Sequence, residues 1–161
     1  MRSLLLFIVF SSALFGTALA AQFDNRDALE GLTTTRAVFD INQGDPKILA
    51  LRLKLIEETY RQLREAGADP RFVLTFRGQA SLFLTRGEKY IAPDDLPLKN
   101  EIELLLNQFG EHGMPLEQCA IAARLLNIDT ADFLPGIKIV ANGYTSLIGY
   151  QNRGYAFIPM E

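Results

Sequence analysis

The segment that decides the fold is Gly113–Leu126, "GMPLEQCAIAARLL", which contains Cys119, the single cysteine of the 161-residue chain. Two readings compete for it. By propensity, Pro115 to Leu126 forms one helix. Pro115 suits a first helical position, where a missing N–H costs nothing, and Leu116, Cys119, Ala123 and Leu126 share a face. By architecture, Met114 to Gln118 forms a short strand that turns into a helix at Ala120. Glu117 and Gln118 are poor residues for a buried strand, so this second reading rests on what flanks the segment.

Upstream, "RAVFDIN" presents Ala37, Val38, Phe39 and Ile41 as a buried strand. "QGDP" follows, with Asp45 as N-cap and Pro46 at the first position of a helix from Lys47 to about Ala66. That helix is expected to bury a stripe of Ile48, Leu51, Leu55 and Leu63, and Gly67 ends it. The unit then repeats. "RFVLTF" is a second strand, ending in "RGQA". A short helix through Leu82 and Leu84 and a polar loop from Arg86 to Pro97 follow it. A helix from Leu98 to Phe109 carries Leu98, Ile102, Leu105, Leu106 and Phe109. Downstream, "GIKIVAN" is a strand, Tyr144 to Arg153 a helix closed by Gly154, and "YAFIP" a last strand. Two helices in succession would break this alternation, whereas a strand at 114–118 restores it. We therefore adopt the strand. Alternating strands and helices, with strands apolar on both faces, imply an α/β fold: a parallel sheet covered on both sides.

The first twenty residues, "MRSLLLFIVFSSALFGTALA", join a basic start at Arg2 to an apolar run and a small-x-small end at Ala18-Leu19-Ala20. This is the three-part pattern of a secretory signal cleaved after Ala20. The apolar run is interrupted by Ser11, Ser12, Gly16 and Thr17, which disfavours a membrane anchor. Residues 21–161 are then expected to form one periplasmic or secreted domain, within the usual size range of about 100–150 residues. No later segment is apolar enough to span a bilayer, so no membrane contact is expected after cleavage. The formal charge is −3, with 16 basic and 19 acidic residues and no basic patch. That argues against nucleic acid as a partner.

An exported chain with one cysteine has no internal disulfide. The thiol is therefore a reactive group, an intermolecular link or a small buried apolar side chain. The strand reading bears on this choice. It puts Cys119 at the carboxyl edge of the sheet, where open parallel sheets bind ligands beside a switch in strand order. There a helix N-terminus favours a thiolate.

The chain resembles the DsrE/DsrF-like family of small sulfur-handling proteins. The resemblance covers most of residues 21–161 and lies in the order and spacing of "FDINQGDP", "FRG", "GMPLEQC", "FLPGIKIVANG" and "LIGYQNRGYAFIP". It implies a flavodoxin-like fold with five parallel strands and assembly into homo- or hetero-oligomers. It also implies a cysteine at the end of the third strand, which carries a persulfide in sulfur-relay members. Cys119 occupies that position, which implies a carrier rather than a turnover enzyme; a sulfur donor or acceptor protein is a candidate partner, though the export signal means that neither is implied by the resemblance itself. Arg77, Gly78, Asn142 and Gly143 are expected to shape its pocket. Two features depart from the family: the export signal, and Arg77 where many members have a histidine. Arginine cannot accept a proton but can pair with an anion. The alternative function is an oligomeric binding module in which Cys119 only packs.

Other chemistry finds little support. His112 lies seven residues before Cys119, across the proposed turn and so at the opposite sheet edge, which leaves a Cys–His pair out of reach. One His and one Cys do not make a zinc site. The chain has no G-x-G-x-x-G and no P-loop, so no nucleotide cofactor is expected. "NQGDP" and "ANGY" are explained as turns with N-caps. Asp94-Asp95 and Glu101-Glu103 are read as solvated faces, and Tyr150 and Tyr155 as core or subunit contacts.

Overall fold

The apolar runs found in the sequence form the strands of a sheet in the structure, a computed structural model that describes residues 23–161. The expected secretory signal, residues 1–20, lies outside the described residues. The chain divides after Glu30. The described part of the first unit holds one helical turn, α1 (Arg26–Leu29), beside which the Asp24 carboxylate accepts from Arg26 N and Nε.

The second unit, Gly31–Glu161, holds β1 (Thr34–Ile41), α2 (Pro46–Glu65), β2 (Asp69–Phe76), α3 (Leu96–Glu111), β3 (Leu116–Cys119), α4 (Ala120–Leu125), β4 (Ile137–Val140), α5 (Gly143–Asn152) and β5 (Ala156–Met160). A 3₁₀ segment, Gly78–Leu84, stands where a short helix was expected. Asp45 opens α2 as anticipated: its carboxylate accepts from Lys47 N at 2.8 Å and Ile48 N at 3.1 Å, with Pro46 next in the chain.

All strand pairs are parallel, in the order β4-β3-β2-β1-β5. This is the expected three-layer α/β architecture, in a strand order that differs from flavodoxin's own. The order dictates the layers. The steps β1 to β2, β2 to β3 and β3 to β4 all run in one direction. Right-handed crossovers therefore put α2, α3 and α4 on the same face. The return from β4 to β5 crosses the whole sheet and puts α5 on the other. The core divides accordingly. Phe39, Phe72, Leu74, Phe76 and Leu116 pack under Leu53, Ile56, Ile102 and Phe109, whereas Val38 and Val73 meet Leu147 of α5.

Strand β3 is four residues long and buried throughout. Each of its two unpromising residues finds one partner distant in sequence. Glu117 accepts from the Tyr150 hydroxyl at 3.0 Å, and Gln118 donates to Ser81 Oγ at 2.8 Å and to the Cys119 carbonyl at 2.9 Å. These bonds offset part of the cost of burying the two side chains, although Glu117 Oε2 and Gln118 Oε1 stay buried without a hydrogen-bond partner.

The stripe assigned to α2 requires correction. Leu49, Ala50, Leu53 and Ile56 face the sheet, while Ile48, Leu51 and Leu55 are exposed. Both rows are apolar at helical spacing, and the crossover geometry selects which one is buried.

Candidate functional site

Strands β3 and β4 are neighbours, yet the chain leaves β3 towards the α4 face and β4 towards the α5 face. Between their carboxyl ends a crevice must open, as the rule for open parallel sheets requires. A cavity of about 300 Å³ lies there. It is lined by Arg77, Gly78 and Gln79 from the end of β2, by Cys119, Ile121, Ala122, Leu125 and Leu126, and by Asn142 and Tyr144. Four of the five residues expected at the site therefore line one space.

The fifth, Gly143, sits directly against the cysteine. A Cβ at that position would lie 3.2 Å from Cys119 Cβ, 3.3 Å from Thr75 Cγ2 and 3.6 Å from Cys119 Sγ. Asn142 holds this contact in place by capping α5, its Oδ1 accepting from Tyr144 N at 2.9 Å. Gly78 is glycine for a backbone reason. Its φ of +57° lies in the left-handed region, close to the Asn42 carbonyl. Gly44 has a steric reason: a Cβ there would fall 2.5 Å from Gln79 Oε1. The two loops at the end of β1 and β2 thus close on each other beside the cavity.

Cys119 is the residue before α4 and is 4 % exposed. The helix it precedes spans only six residues, so the N-terminal field expected to favour a thiolate comes from little more than one turn. The charge expected from Arg77 is also offset. Its Nε and Nη2 donate to the two carboxylate oxygens of Asp40, each at 2.7 Å. This is the bidentate geometry that suits a guanidinium to a carboxylate. The Asp40 bond is the main reason that Arg77 is held above its already high pKa, and the other side of the guanidinium covers the Tyr144 ring at 4.7 Å. Asp40, Tyr144 and the aliphatic wall from α4 are the site residues that the sequence reading missed. One signal was available for Asp40. An acid inside the apolar run of β1 is buried, and a buried carboxylate requires a cation.

His112 is where it was expected, at the opposite edge. Its Nε2 lies 3.1 Å from Glu57 Oε1 and its ring stacks on Tyr60 at 4.6 Å. It lines a separate cleft at the amino edge with Arg64, Arg71 and Arg153. Tyr150 and Tyr155 pack edge to face beside that cleft, partly buried against Val38 and Val73, as the core reading expected. Among the described residues, no group of three or more His, Cys, Asp or Glu is placed to hold a metal ion.

Known proteins share this fold. In the solved structure of MTH1491 from Methanobacterium thermoautotrophicum, a protein of unknown function, the fold superposes with a TM-score of 0.62 at 19% identity, covering 78% of this chain and 98% of that one. The ychN protein from E. coli gives 0.56 at 15% identity, with the same coverages. An uncharacterised protein of Aquifex aeolicus is 31% identical over 128 residues, which are 77% of this chain and 55% of the relative. The chain thus spans about half the length of that relative. The family model described as DsrE/DsrF-like matches residues 36–160, a span that takes in the cavity, Cys119 and nearly the whole sheet, and the chain belongs to that family, which is associated with sulfur relay.

Proposed function

We propose that this protein is an exported sulfur carrier in which Cys119 takes up sulfane sulfur as a persulfide and passes it to an acceptor. One observation carries the reading. The only thiol of the chain lines a cavity at the point where the strand connections diverge, with the expected residues around it. In the uptake step the Cys119 thiolate attacks the outer sulfur of a hydropersulfide R–S–SH. The S–S bond breaks, the thiolate R–S⁻ leaves and takes up the proton, and Cys119–S–S⁻ remains. No external oxidant is needed, because the sulfane sulfur only changes partner. The export part of the reading rests on the signal pattern at residues 1–20 and is tested by the amino terminus of protein recovered from the native host, expected at Ala21.

The test of the carrier role is to incubate the reduced protein with a small uncharged hydropersulfide and measure its intact mass beside Cys119→Ser. The reading requires a gain of one sulfur atom in the first and none in the second. A second reading, an oligomeric binding module in which Cys119 packs, is favoured by the burial of that residue beside Gly143. It predicts a thiol that resists iodoacetamide until the protein unfolds. Under either reading we propose self-association, supported by the exposed Ile48, Leu51 and Leu55 on α2 and by Tyr144, Ile148 and Phe157 on the side covered by α5 alone. Light scattering at micromolar concentrations tests it.

A further inference from the structure

We infer that the Cys119 cavity selects uncharged, apolar sulfur compounds and discriminates against sulfur anions such as thiosulfate or sulfite. The inference rests on Cys119 acting within the cavity, as proposed above, and names the class of compound that it meets there.

Arg77 is the only cationic side chain among the residues that line the cavity. Its Nε and Nη2 are bound to the Asp40 carboxylate, and its face lies on Tyr144. The pair is neutral as a unit, so Asp40 leaves no uncompensated positive charge in the wall for a second anion. The N–H of Tyr144, at the start of α5, is likewise taken by Asn142 Oδ1. Gln79 and Asn142 add uncharged polar side chains, and the rest of the wall, Ile121, Ala122, Leu125 and Leu126, is aliphatic. An anion entering would lose water without gaining a counter-ion, whereas an uncharged R–S–SH with a small apolar R group would bury apolar surface. The sulfur transfer itself is the balanced exchange written above.

Reagents of one chemistry and different charge test this. Ethyl methanethiosulfonate is uncharged, the 2-sulfonatoethyl reagent anionic and the 2-(trimethylammonio)ethyl reagent cationic; all release methanesulfinate on forming the mixed disulfide with Cys119. Each rate on the folded protein, followed by intact mass, is divided by the rate on a small free thiol. The uncharged reagent should exceed the anionic one by about 30-fold after that correction, as expected for an anion desolvated without a partner. Two variants should narrow the gap. Asp40→Asn releases the Arg77 fork. Leu125→Lys adds a cation at an exposed position on the cavity wall and should raise the anionic-to-uncharged ratio roughly five-fold at low salt. The Leu125 variant keeps the test decisive should Asp40→Asn not fold. An anionic reagent that matches or outpaces the uncharged one overturns the inference and leaves the carrier reading standing. A thiol that reacts with none of the three until the protein is denatured overturns the carrier reading, and the inference with it.

Discussion

Replacing Arg77 by Met would strand the Asp40 carboxylate, and the consequence is calculable from the geometry. The Asp40 side chain is 6 % exposed and that of Arg77 19 %, with two charge-assisted hydrogen bonds of 2.7 Å between them. Breaking a buried ion pair by removing one partner costs about 3–5 kcal/mol, because the survivor stays charged and dry. The partial exposure of Arg77 lets water reach it when it is the survivor. Asp40→Asn should therefore fall at or just below the low end of that range, at about 2–3 kcal/mol. Arg77→Met leaves the more deeply buried partner, and it also forfeits the contact with Tyr144, worth about 0.5–1 kcal/mol. It should reach about 4 kcal/mol. The double variant removes both charges and should cost about 4–5 kcal/mol rather than the roughly 6–7 kcal/mol of the two single losses added, a coupling of about 2 kcal/mol in a double-mutant cycle. Urea unfolding followed by far-ultraviolet circular dichroism measures all four proteins, with equal m-values as the check that the cycle is valid. Additive losses, or an Asp40→Asn cost that exceeds that of Arg77→Met, would refute the view that the pair is a neutral unit whose acid is the buried member.

Two further predictions concern the elements around the site. Burial first, and repulsion from Glu117 second, raise the Tyr150 hydroxyl above its ordinary pKa of 10.0. The folded state therefore holds that proton more tightly than the unfolded chain does. The associated stability is complete below about pH 10 and is lost as pH rises through the folded value. Urea midpoints should decline more steeply above about pH 10 in the parent than in Tyr150→Phe, and identical slopes would count against it. Gly143→Ala should destabilise the protein by about 1–2 kcal/mol despite alanine's better helix propensity, since the new methyl meets two buried neighbours at 3.2 and 3.3 Å, one of them the stiff Thr75 of a central strand. A raised urea midpoint would show that the contact relaxes freely.

The strands were legible because each is a short run of apolar residues between turn signals, as at Ala37–Ile41 and Phe72–Phe76. Strand β3 was legible only through its neighbours. Glu117 and Gln118 become acceptable through Tyr150 and Ser81, partners that no local window contains. Helix α2 was placed correctly and turned the wrong way, because Ile48, Leu51 and Leu55 form as good a stripe as Leu49, Leu53 and Ile56. Only the sheet decides between them. At the site, the glycines and Asn142 announced themselves as turn and cap residues. The fate of Arg77 did not, since its charge is cancelled by a residue 37 positions earlier.

The long return from β4 to β5 also sets the order in which the molecule can assemble. Strand β1 finds one neighbour in β2 after a single helix, but its other neighbour, β5, is the last strand in the chain. Contacts between such distant segments bear the largest loop-closure entropy and form late. Until α5 docks, Val38, Val73, Asp40 and Thr75 face water, and the wall contributed by Asn142, Gly143 and Tyr144 does not exist. Any chain caught before that step therefore presents its thiol openly to small molecules. The finished protein presents it only through the cavity, so oxidative damage to Cys119 should track the rate of folding more closely than the lifetime of the folded state.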